Sequence, residues 1–139
     1  MRVTRDWFGK TSALTTTNGS DVYLLGEVKR MYQLYSVRAS FTTSATVGDR
    51  QIELQFKDSD NTIVEVAIPQ ITQAADITYY YNFRLGPEIE SIIDGDQLFI
   101  SLPLTFMQDA FTLRLFDNNT IDTSGDLLIA HARYMIRDW

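Results

Sequence analysis

The chain has 139 residues, a formal net charge of −6, 45% hydrophobic and 22% charged residues, no cysteine and one histidine, His131. That length supports one domain with its own core. The missing cysteines exclude disulfides and thiolate zinc sites, the lone histidine excludes a multi-histidine metal site, and the negative charge opposes general nucleic-acid binding.

Residues 1–20 mix Thr, Gly, Asn and charge with little periodicity, so an arm ordered against a partner is expected there, followed by a single domain over 21–139. The start, "MRVTRDWFGK", lacks an apolar signal core, and no apolar run approaches the roughly 18 residues of a membrane-spanning helix. Synthesis in a cytoplasm, with no membrane partner, is the expectation.

From Asp21 onward the dominant period is two, the strand period. "DVYLLGEV" suggests a weak strand. Tyr35, Val37, Ala39 and Phe41 then alternate with polar residues, as do Ile52, Leu54 and Phe56. "DSDN", Asp58 to Asn61, has hairpin-turn chemistry and leads into "TIVEVAIP", where Val64, Val66 and Ile68 are the expected inward set and Pro69 ends the strand. Ile77, Tyr79, Tyr81 and Phe83 share one face, and so do Leu98, Ile100, Leu102 and Leu104. Phe111, Leu113 and Leu115 form a further set, and Leu128, Ala130, Ala132, Tyr134 and Ile136 close the series. Only "GPEIESIID", Gly86 to Asp94, has the look of a short helix or turn. About eight short strands with one-sided alternation predict an all-β fold: an antiparallel two-sheet β-sandwich of jelly-roll or Greek-key type.

Few residues suggest chemistry. Asp117, Asn118, Asn119, Asp122 and Asp126 crowd the segment "DNNTIDTSGD", and Asp117 and Asp122 could supply oxygen ligands to a hard cation. Their spacing misses the EF-hand pattern, and Asp/Asn-rich turns between strands are ordinary, so turn chemistry is favoured. Glu88, Glu90, Asp94 and Asp96 suggest a solvated acidic rim more than a glycosidase pair, and a cation-dependent hydrolase is the weakest reading. His131 has an outward register and no assignable catalytic partner. No cofactor motif and no enzyme chemistry emerge, so the chain is expected not to be an enzyme.

Aromatic residues make up 12% of the chain. Tyr32, Tyr80 and Phe99 are assigned outward registers, where rings anchor interfaces or stack on sugars. Both tryptophans sit in an Arg-Asp-Trp tripeptide, ending at Trp7 and Trp139. Trp7, Phe8, Tyr80 and Trp139 are therefore the expected partner-binding residues. A carbohydrate-binding module with Tyr80 and Phe99 as platform is the alternative from another class.

Three stretches carry a resemblance. A threonine- and alanine-containing run leads into the corner Val47-Gly48-Asp49-Arg50. Tyr79 to Phe83 with Gly86 follows, and then Asp117, Ile121, Asp122, Asp126 and Tyr134. Over about residues 35–135 this pattern resembles small tailed-phage structural proteins. The resemblance implies a virion-located β-sandwich made in the host bacterial cytoplasm and present in multiple copies or as a homo-oligomer. Its role would be capsid decoration (cement) against the major capsid protein, or a tail, neck or fibre-associated position.

Overall fold

Eleven strands and no helix make up the described part of this computed structural model, which covers residues 8–16, 22–25, 30–85, 92–102, 106–108, 111–122 and 124–138. The strands are β1 (Phe8–Thr16), β2 (Val22–Leu25), β3 (Arg30–Thr42), β4 (Ile52–Lys57), β5 (Ile63–Ala67) and β6 (Thr78–Leu85). They continue with β7 (Ile92–Asp94), β8 (Gln97–Leu102), β9 (Phe106–Gln108), β10 (Thr112–Asp117) and β11 (Leu127–Asp138). One sheet runs β1-β11-β3-β6-β8-β7, with β9 pairing to one end of β3, and the other runs β2-β10-β4-β5. The protein is an all-β sandwich. Among the described residues every strand pairing is antiparallel except that of β6 with β8.

The core lies between the sheets and follows from the two-residue period. Val37, Ala39, Phe41, Tyr81, Phe83, Leu98, Leu128, Ala130 and Ala132 from the larger sheet meet Ile52, Leu54, Phe56, Leu113 and Leu115 from the smaller, all buried. Small residues at Ala39, Ala130 and Ala132 let the large rings of the neighbouring strands interdigitate. Leu104 and Ile136 belong to expected inward sets, but their side chains lie outside the described residues.

Four expectations change. Residues 8–16, assigned by sequence to the arm, form β1 and pair residue for residue with β11 from Phe8↔Ile136 to Thr16↔Leu128. A polar edge strand carries no apolar alternation, which is why its period is invisible in "FGKTSALTT". Second, Tyr32 faces inward, 3% exposed and packed at 5.5 Å between ring centroids against Tyr134, while Tyr35 is 41% exposed. The cause is a β-bulge: Arg133 pairs with Ser36 and Tyr134 with Leu34, so Tyr35 is the extra residue that reverses the facing of β3.

Third, Val64, Val66 and Ile68 are not an inward set. Ile63, Val64, Val66 and Ile68 are all exposed, and in β5 only Ala67 is buried. The pairing register is the cause: Leu54 pairs with Ala67 and Gln55 with Val66, so Ala67 shares the core face while Val66 falls on the outer face of the smaller sheet. The "DSDN" turn itself forms as expected, with Asp58 Oδ1 accepting from the amides of Asp60 and Thr62 and Asn61 at φ 64°. Fourth, Ile92–Asp94 is the strand β7 rather than a helical turn, paired to β8 across Gly95 and Asp96. Glu88 and Glu90 lie outside the described residues.

Candidate functional site: a buried polar corner and an arginine-lined groove

The chain from Ser44 to Arg50 turns between β3 and β4, and the chain from Asp122 to Asp126 approaches β11 beside it. Arg50 joins them. Its side chain is fully buried, its Nε donates to Asp126 Oδ2 at 2.9 Å and its Nη2 donates to Asp126 Oδ1 at 3.0 Å. Nη1 donates to the carbonyls of Thr46 (2.8 Å) and Gly48 (2.6 Å). The Arg50 backbone makes a two-hydrogen-bond bridge to Gln73. Gln73 is itself buried: its Nε2 donates to the carbonyls of Phe41 and Ile77, and its Oε1 accepts from the Tyr81 hydroxyl. The Asp126 hydrogen bonds raise the Arg50 pKa against the opposing effect of burial, so the guanidinium stays charged. Burial pushes the Tyr81 phenol far above its usual value.

The carboxylates considered as cation ligands point at loop donors instead. Asp117 accepts from the amides of Gln51, Asn119 and Ile121. Asp122 Oδ2 accepts from the hydroxyls of Ser44 (2.6 Å) and Thr46 (2.9 Å), and Oδ1 from the amides of Ser124 and Gly125. Gly125 is required there by close approach, since a β-carbon would lie 2.6 Å from Asp122 Oδ2. Such donor-saturated carboxylates fix loop shape. Among the described residues no group of three or more His, Cys, Asp or Glu is arranged to hold a metal.

A pH test follows. The Ser44 hydroxyl above all, then Thr46, the Gly125 amide and Ser124, hold the Asp122 carboxyl well below the usual carboxylate range. A depressed folded-state value gives stability that is complete above the unfolded value of about 3.9 and is lost as pH falls through the folded one. Melting temperatures measured below about pH 4 should therefore fall more steeply in the wild type than in Asp122→Asn. Parallel acid profiles would show that Asp122 does not pin this loop.

On the outer face of the larger sheet lies an open groove of about 610 Å3, lined by residues of β3, β6 and β11 that include Arg38, Arg84, His131 and Arg133, with no carboxylate among the described lining residues. Strand register builds it. Arg133, Ser36 and Arg84 form one row across β11, β3 and β6, and His131, Arg38 and Asn82 form the next. The small Ser36 floors the row between two arginines, and the bulged Tyr35 stands beside it. The Arg84 guanidinium lies over the Phe99 ring at 4.6 Å and that of Arg38 over Tyr80 at 5.4 Å, while Arg38 Nη1 donates to Asn82 Oδ1 at 2.9 Å.

Of the residues expected to bind partners, Tyr80 stands on this outer face, half-buried beneath Arg38. Trp7 and Trp139 lie outside the described residues, as does the side chain of Phe8. Sequence reasoning missed the arginines: each has an outward register, but only the pairing of β11 with β3 and β6 aligns them. For the alternative of a sugar platform, Tyr80 and Phe99 each already carry a guanidinium over the ring.

Neither a family model nor a curated protein matches the sequence. Among solved structures, the infectious bursal disease virus Gx strain aligns over 95% of this chain and 30% of that chain, at 10% identity and a TM-score of 0.44. The agarase AgWH50C aligns over 99% of this chain and 23% of its own, at 6% identity and a TM-score of 0.40. The VP2 subviral particle of infectious bursal disease virus aligns over 94% and 42%, at 9% identity and a TM-score of 0.35. This chain thus spans well under half the length of each. Such scores and identities establish neither a shared fold nor a relationship.

Proposed function

We propose that the protein is a non-enzymatic structural component of a phage virion, acting as a decoration or cement protein that binds and stabilises the head lattice. The observation that carries this reading is the strand order. β1-β11-β3-β6 facing β2-β10-β4-β5 is the connectivity of a jelly roll, an arrangement used in capsid and lectin domains and in cupins, with β7 to β9 inserted before the final pair.

The resemblance to tailed-phage structural proteins selects among those classes. Its separate signatures, the Val47-Gly48-Asp49-Arg50 corner and the segment from Asp117 to Asp126, meet in one hydrogen-bonded corner. A signature that builds a fold suits a module whose work is contact. Many copies on a lattice convert modest single contacts into firm attachment.

The test is made on particles of the virus encoding this chain. Mass spectrometry should find the protein in purified heads. Particles lacking it should lose integrity at lower temperature or on dilution into low salt. Recovery of the protein only in tail fractions, or unchanged resistance of depleted heads, would overturn the assignment.

A further inference from the structure

We propose that the groove over Ser36 is a docking site for an extended acidic polypeptide segment, held by Arg38, Arg84 and Arg133. The source of that segment, a neighbouring coat subunit, rests on the function proposed above; the groove chemistry does not.

The first argument is charge. The chain carries a net −6, yet three arginines and the histidine line one groove with no carboxylate among its described lining residues. Like charges gathered on one face repel each other, and an anionic occupant removes that cost.

The second is geometry. Neighbouring strands lie about 4.8 Å apart, so Arg133 and Arg84, in one row on either side of Ser36, stand about 10 Å apart at their backbones. Arg38 occupies the adjacent row. An extended peptide projects alternate side chains to one side about every 7 Å, a spacing that flexible arginine stems can bracket. Contact with Phe99 and Tyr80 restrains the guanidinium groups of Arg84 and Arg38, and beside the Nη1 bond to Asn82 the Nε–Nη2 edge of Arg38 can still take a carboxylate in bidentate fashion. The β-bulge turns Tyr35 outward to wall the site, as bulges do where a sheet re-aims a side chain.

The third is exclusion of other polyanions. Duplex DNA would meet the repulsion of a net-negative molecule over its whole length. An acidic glycan would look for open aromatic faces, and Tyr80 and Phe99 already carry guanidinium groups.

The probe is a fluorescein-labelled hexaglutamate peptide, titrated with the full chain at low ionic strength and read by fluorescence anisotropy. Saturable binding is expected, weakened about tenfold or more by Arg38→Glu with Arg133→Glu and unchanged by Lys57→Glu, which lies on the other sheet. Equal melting temperatures for the variants and wild type exclude a folding effect. Absence of saturable binding, or full binding by the double variant, overturns the proposal. So does tighter binding of oligogalacturonate or a short DNA duplex, which would reassign the groove to a glycan or a nucleic acid. Heads that still recruit the double variant as well as wild type would sink the coat-segment source and leave the virion role intact.

Discussion

Asp126→Asn is expected to lower the unfolding free energy by about 3–5 kcal/mol, because it leaves the fully buried Arg50 guanidinium without its counter-charge. That is a large share of the roughly 5–15 kcal/mol that holds a domain together, so part of the population should unfold near physiological temperature. Arg50→Met should cost a comparable amount for a different reason. It leaves the Asp126 carboxylate with the Ser44 amide but no counter-charge and takes a donor from the carbonyls of Thr46 and Gly48. Replacing both, as Arg50→Met with Asp126→Leu, should recover the part of the loss due to an uncompensated buried charge, but not the hydrogen bonds of the Thr46 and Gly48 carbonyls and the Ser44 amide. Urea midpoints at neutral pH measure all three. A cost below about 1 kcal/mol for Asp126→Asn would mean that water or another group satisfies Arg50, and the corner would not be the latch described.

Gly48→Ala has the second-largest expected effect. Gly48 sits at φ +143°, which L side chains rarely adopt, and a β-carbon there would lie 3.0 Å from both Cδ1 and Cγ2 of Ile121. The backbone strain alone is worth about 1–3 kcal/mol, and the contact with Ile121 adds to it. The two parts separate in a cycle. In an Ile121→Ala background the contact is gone, so the remaining cost of Gly48→Ala reports the backbone. A Gly48→Ala variant within about 0.5 kcal/mol of wild type would show that the corner can relax without strain. Because the Gly48 carbonyl accepts from Arg50 at 2.6 Å, the Gly48 and Asp126 variants should not be additive.

The sandwich was legible because burial on one face writes a period of two into the sequence. All eight expected strands exist, and Val37, Leu54, Tyr81, Leu98, Leu113 and Ala130 face the core as their registers predicted. What escaped depends on partners distant in sequence. The bulge at Tyr35 is a property of the pairing with β11, and only the bulge explains how Tyr32 and Val37 can both face inward. β5 alternates like a half-buried strand, but alternation does not say which of its two faces the pairing with β4 turns to the core. β1 is too polar to declare itself, and β7 is too short.

The same holds for the sites. Gly48 and Asp49 are recognisable as a corner, but Arg50 looks like an ordinary polar start to a strand until Asp126, 76 residues later, is placed against it. The groove arginines are individually unremarked surface positions. Their convergence around Ser36 is a product of sheet register alone.

Strand β11 occupies the slot between β1 and β3, so an interior position of the larger sheet is filled by the element furthest along the described chain. During synthesis β1 and β3 would each emerge with an unsatisfied edge, and neither can zip until residues 127–138 have left the ribosome. The β3–β6 and β4–β5 pairings can form earlier, and the Arg50–Asp126 latch closes only as β11 arrives. Shortening the protein before residue 127 would therefore remove the keystone of the sheet rather than trim its border, leaving two exposed edges ready to pair with other chains.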